Sequence, residues 1–195
     1  MRKHPLSPLI LTCAALFICS CSPNLPSPIE QAGTGQVGRT MSTFTLASPA
    51  FPSGGLIPNQ YSCEDADQSP ELSWSGAPAN TRSFALIVTD PDSPSGTWTH
   101  WLIWNIPGDA TTLPTGTPKL ARLPNGAFQG RNDFHRLGYA GPCPPPGNAH
   151  RYFFTLYAAS AVLKLKPGAS RADLEAALNP LTLAHTQYQG TFQRH

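Results

Sequence analysis

Ser83-Phe84-Ala85-Leu86-Ile87-Val88-Thr89 is a nearly continuous apolar run bounded by polar and turn-forming residues, and its reading decides the fold class. Aromatic and β-branched side chains fill it, which argues against helix and suits a central strand buried on both faces. His100 to Ile106 (HWLIWNI) and Tyr152 to Ala158 (YFFTLYA) have the same character, and Phe44-Thr45-Leu46 alternates in the manner of a half-buried strand. The chain is therefore expected to be mainly β. Only Ser170 to Leu178 reads as helix: Ser170 is suited to the N-cap, Asp173 to its N3 partner, and Leu174, Ala177 and Leu178 share one face, with Pro180 as the stop. Between the strand signals, Pro107 to Leu137 is the longest weakly structured stretch, and no internal repeat is evident.

Composition bounds the possibilities. The 195 residues include 22 prolines and 16 glycines and are only 12% charged, which describes one loop-rich globular domain. Arg2 and Lys3 precede an apolar stretch from Leu6 to Cys21 that is too short to span a membrane and of the length of a signal-peptide core. Ile18-Cys19-Ser20-Cys21 resembles a bacterial lipobox, with Cys21 as the lipidated residue. Cys19 fits worse because bulky Ile18 precedes it, and Cys13 lies inside the apolar core. An ordinary cleaved signal that releases a soluble protein is the alternative. The expected organisation is a signal peptide over 1–20, a Pro/Ser/Gly-rich tether over 21–42 and one folded domain over 43–195, anchored to the cell envelope through its lipid. Loss of Arg2 and Lys3 takes Lys+Arg from 13 to 11 against 11 Asp+Glu, so the mature protein is close to neutral. Such a balance offers no footprint for nucleic acid, and anion recognition must come from local geometry.

The only cysteines beyond Cys21 are Cys63 and Cys143. An oxidising compartment leaves a disulfide open to them, with a single connectivity, if their Cα atoms lie within about 7 Å.

Two segments carry a family resemblance. One is Asp90-Pro91-Asp92-Ser93-Pro94 followed by Thr99-His100-Trp101; the other runs from Gly138-Tyr139-Ala140-Gly141-Pro142-Cys143 through Asn148-Ala149-His150-Arg151-Tyr152. Together they resemble the signature blocks of the phosphatidylethanolamine-binding (Raf-kinase-inhibitor-like) family. Ile57-Pro58 with Tyr61 and Cys63, Ser69-Pro70 with Leu72, Ser73 and Trp74, and Gly130-Arg131-Asn132-Asp133 resemble its bacterial branch. The similarity covers about Phe44 to His195. It implies a β-sandwich with a large central antiparallel sheet and a short C-terminal helix. It also implies a cavity for phosphate-like groups or phospholipid head groups, working by binding with neither turnover nor cofactor. Carried over by position, the cavity residues are Asp92, His100, Gly141, His150 and Tyr152, with Asp90 and Pro142 beside them.

Those residue types suit an anion. Two imidazoles present N–H donors, and a protonated pair adds positive charge. A carboxylate on one imidazole nitrogen sets the tautomer; Asp92 is assigned that role, and Asp90 is read as a turn residue. Gly141 is expected to offer its backbone N–H at close approach, and Tyr152 its phenol. His150 and Tyr152, two apart on one strand, share a face, whereas Arg151 points away into a structural hydrogen-bond network. His135 and His185 are expected at the surface. Three rivals remain: a metal site of two histidines and a carboxylate, a Cys143 nucleophile with His150 as base, and a module that shows its pocket rim to a protein partner. The chain departs from the bacterial pattern at Asn179-Pro180, where a Gly-His pair is expected, at Phe192, where tyrosine is common, and at Pro146.

Overall fold

The computed structural model describes residues 43–194; the signal segment, Cys21 and the tether lie outside the described residues. The elements in chain order are β1 (Thr45–Ala47), β2 (Leu72–Ser75), β3 (Ser83–Asp90), β4 (Trp98–Pro107), β5 (Thr112–Leu113), β6 (Phe128–Gln129), β7 (His150–Ala159), the helix α1 (Arg171–Leu178) and β8 (Thr182–Phe192). Strands β6-β4-β3-β7-β8 form one sheet in that order and β1-β2-β5 another. Every strand pair is antiparallel.

Why the Ser83 run is apolar throughout follows from its place at the centre of the larger sheet. Phe84, Leu86 and Val88 point towards the smaller sheet, where they pack with Leu46, Leu72 and Trp74. Ala85 and Ile87 point the other way, into a second core with Leu163, Leu174 and Leu178. A strand covered on both faces loses the polar alternation that one wet face would impose. The helix supplies the second cover. Its capping box forms as the spacing predicts: Asp173 N–H donates to Ser170 Oγ, and Ser170 N–H donates to the Asp173 carboxylate.

Strand β8 was not legible as a strand in the sequence. It is an 11-residue edge strand, TLAHTQYQGTF, whose first half leaves alternate residues exposed and whose buried residues are confined to Tyr188, Gly190 and Phe192. Edge strands with a wet face carry polar residues, so hydrophobicity alone does not mark them. The long stretch from Pro107 to Leu137 holds β5, β6 and several turns. It is held against the sheet by Gln129, whose Oε1 accepts from Trp101 Nε1 at 2.7 Å and whose Nε2 donates to the carbonyls of Pro118 and Leu120 at 2.7 Å each.

Candidate functional site

Strand parity brings Asp90 and His150 together. On β3 the even-numbered residues face the inter-sheet core, so Asp90, the last residue of the strand, falls on the same face as Val88. On β7 the same face carries His150, Tyr152 and Phe154. His150 Nδ1 donates to Asp90 Oδ2 at 2.8 Å, and Asp90 Oδ1 accepts the N–H of Asp92 at 2.8 Å. Asp90 is thus both the turn residue expected of it and the histidine partner assigned to Asp92. The assignment of Asp92 to a histidine is corrected. Asp92 lies past the strand end, where it accepts from Arg151 Nε at 2.9 Å, Arg151 Nη2 at 2.7 Å and the Arg151 backbone N–H at 2.9 Å. The Arg151 guanidinium pulls the Asp92 carboxyl from 3.8 to about 2. Arg151 does point away from the cavity, and its network is this one fork.

His100 enters through a break in the ladder. Pairing between β3 and β4 passes from Val88–Trp101 to Thr89–Thr99, which leaves His100 as the extra residue of a bulge. Bulges of this kind re-aim a side chain. The ring is then fixed by Ala140: His100 Nδ1 lies 2.7 Å from the Ala140 carbonyl, and Ala140 N–H donates to the His100 carbonyl at 3.0 Å. Burial pushes the imidazole pKa down, an effect the Ala140 carbonyl partly offsets. The Gly130-Arg131-Asn132-Asp133 segment clamps the next loop here. Asp133 accepts from Thr99 N–H at 2.7 Å and returns its own N–H to the Thr99 carbonyl at 3.0 Å. Asn132 Oδ1 caps the turn by accepting from Phe134 N–H and Arg136 N–H. That turn sets the Phe134 ring edge-on to Trp98 and His100, at centroid distances of 5.4 and 5.3 Å.

The resulting cavity is about 170 Å³ and is lined by Asp90, His100, His150, Trp98, Phe134, Ser93, Pro94, Ser95, Cys143, Pro144 and Pro145. Three of the seven residues expected at the site line it: Asp90, His100 and His150. Tyr152 lies beneath, buried, with its ring edge-on to His100 at 5.1 Å and no hydrogen bond on its hydroxyl. Burial first, and then the charge of Asp90, hold that phenol protonated to well above its ordinary range.

Gly141 and Pro142 are placed differently from expectation. The Gly141 N–H already donates to Asp67 Oδ1 at 2.6 Å, so it is not available to a ligand. A Cβ on Gly141 would lie 2.2 Å from the Tyr61 carbonyl oxygen, so the glycine is required by the approach of one backbone to another. The Pro142 carbonyl accepts from Cys63 N–H at 3.0 Å, and Pro142 does not line the cavity. Cys63 and Cys143 form a disulfide with Cα atoms 5.4 Å apart, which ties the Cys143 wall to the segment after Tyr61. With its sulfur in that bond, Cys143 is no free nucleophile.

Sequence reasoning missed Trp98, Phe134, Ser93 and Ser95. Trp98 was a legible signal, because it lies two residues before His100 at the start of the same strand. Phe134 has no local signal; it arrives through the Asn132 turn. Among the described residues no group of three or more His, Cys, Asp or Glu side chains is arranged to hold a metal ion.

Comparison with known proteins agrees with the fold. Residues 47–193 match the family model described as phosphatidylethanolamine-binding protein. A UPF0098 protein of Methanothermobacter thermautotrophicus is 49% identical over 151 residues, which cover 77% of this chain and 99% of that one. "Putative lipoprotein LppC" of Mycobacterium tuberculosis is 39% identical over 152 residues, covering 77% of this chain and 72% of that one. The crystal structure of Escherichia coli YbcL, described as a member of the mammalian PEBP family, superposes with a TM-score of 0.73 at 34% identity, covering 78% of this chain and 99% of that one. With the two-sheet fold, both signature blocks at one cavity and a family match across nearly the whole folded part, the chain belongs to the phosphatidylethanolamine-binding protein family.

Proposed function

We propose that this chain is an exported, lipid-anchored envelope protein that binds a small phosphate-like anion, free or as a phospholipid head group, in the cavity between His100 and His150. The observation that carries this reading is that the buried Asp90–His150 pair and His100 line one cavity, with Phe134 edge-on to both His100 and Trp98. With its Nδ1–H committed to Asp90, His150 leaves Nε2 as its remaining hydrogen-bonding atom. When that nitrogen is protonated, the ring brings a charge-assisted donor. Trp98 Nε1 adds a second donor: it is buried and has no partner among the described residues. The lipid anchor rests on the Ile18–Cys21 segment, and the similarity to a relative named as a lipoprotein supports it.

Calorimetric titration of phosphoethanolamine into the soluble domain tests the reading. Loss of one charge-assisted hydrogen bond is worth about 1.5–3 kcal/mol, so His150→Ala is expected to weaken binding about 10- to 100-fold. Arg151→Gln, which breaks only the outer fork with Asp92, is expected to change it less than about 3-fold. Equal affinity in wild type and His150→Ala would reject the site.

A further inference from the structure

The hydrogen bonds inside the cavity wall say which protonation state the ligand must bring. A backbone carbonyl can only accept, so the His100 nitrogen that faces Ala140 carries the proton, and in the neutral ring Nε2 is a lone pair. The Asp90 carboxylate likewise accepts from His150 Nδ1, so any donor that His150 offers the cavity is a proton added at Nε2. Asp90 cancels the charge of that proton. Asp133 and Tyr152 also face His100, and Asp92 and Arg151 stand behind His150 as a closed pair. No lysine or arginine lines the cavity. The site therefore has one fixed acceptor, at most one charged donor and no net positive charge.

From this geometry we infer that the cavity selects a phosphomonoester in its monoanionic, P–OH-bearing form: the P–OH donates to His100 Nε2 while a P–O⁻ accepts from His150 Nε2. The inference rests on the anion-binding reading and sharpens it to one ligand class. A dianion has nothing to give the His100 lone pair, and its second charge finds no lysine or arginine in the lining to balance it. A sulfate ester or a phosphodiester has the charge but no proton, so among phospholipid head groups the rule admits only a terminal phosphomonoester. Burial of His100 supports the assignment, because it disfavours the extra proton that would turn the ring into a donor.

Methyl phosphate and methyl sulfate make the test, since they share shape and monoanionic charge and differ in the P–OH. A phosphomonoester loses its second proton with a pKa of about 6, so titrations at about pH 6 and about pH 8 compare the two ligand states. At the lower pH methyl phosphate is expected to bind at least about 10-fold more tightly than methyl sulfate, the worth of one hydrogen bond to a charged partner, and to lose that advantage at the higher pH. Equal affinities at the lower pH, or a parallel fall of both ligands with pH, would overturn the P–OH requirement while leaving an anion site in place. Failure of both ligands to bind would overturn the anion site itself, and the inference with it. Dioctanoyl phosphatidic acid, a monoester with acyl chains, tells a lipid source from a free one. Binding tighter than methyl phosphate assigns the lipid and equal binding the free ester, and both outcomes support the monoester rule.

Discussion

Trp101→Ala is expected to lower the unfolding free energy by about 3–5 kcal/mol, the range for deleting a fully buried large aromatic side chain. Trp101 has no exposed surface, sits at the centre of β4 and packs edge-on against Tyr139 at 5.6 Å. The substitution does more than open a cavity. Gln129 Oε1 loses its indole donor, and an orphaned buried acceptor costs about 1–3 kcal/mol more if no water reaches it. Against a total of about 5–15 kcal/mol for a domain, that is enough to leave much of the protein unfolded at growth temperature. Trp101→Phe separates the two effects, because it keeps most of the packing and removes the donor alone; its cost should fall to about half or less. Urea unfolding followed by tryptophan fluorescence measures both. A loss below about 1 kcal/mol for Trp101→Ala would show that the long Pro107–Leu137 segment is not held to the sheet through Gln129.

Removing the disulfide should cost nearly as much. Cys63 and Cys143 are 80 residues apart in sequence, so their bond closes a loop that contains β2 through β6. On the chain-entropy account a loop of that length is worth about 4–5 kcal/mol, and native disulfides removed from small exported domains typically cost about 2–5 kcal/mol. Cys63→Ser/Cys143→Ser is expected to fall in that range, with the same shift on reduction of the wild type. The Cys143 wall should still hold its place in the folded state, because Cys63 N–H to the Pro142 carbonyl and Gly141 N–H to Asp67 join the same two segments. The double variant is therefore expected to bind phosphoethanolamine within about 3-fold of wild type under conditions where it stays folded. A stability change below about 1 kcal/mol, or loss of binding in the folded variant, would contradict this division of labour.

The central strands were legible because they are covered on both faces. Burial of Phe84, Leu86 and Val88 on one side and Ala85 and Ile87 on the other is written as one unbroken apolar run, and no competing period exists for it. The helix was legible because its cap is local: Ser170 and Asp173 are three residues apart and need nothing from the rest of the chain. β8 was hidden because its first half is wet on alternate residues, and pairing with β7 rather than hydrophobicity makes it a strand. At the site, the two histidines could be read, and so could the shared face of His150 and Tyr152. The exchange of roles between Asp90 and Asp92 had a signal that went unused. Extending the parity of Phe84, Leu86 and Val88 by one step puts Asp90 on the face of His150, whereas reading the Asp-Pro-Asp segment as a turn hides it. Gly141 misled for a different reason. A glycine chosen for backbone packing and one chosen for ligand approach look identical in sequence, and only the Tyr61 carbonyl at its Cα tells them apart.

Ring-nitrogen NMR of the histidines, recorded while phosphoethanolamine is added, tests the anion site most directly, because it reports on the two rings themselves. The Nε2 signals of His100 and His150 are expected to move together and saturate, with His150 Nδ1 remaining protonated against Asp90 and the exposed rings of His135 and His185 unmoved. Saturating shifts at His135 or His185, or no shift at His100 and His150 at concentrations where the ligand binds, would contradict the site.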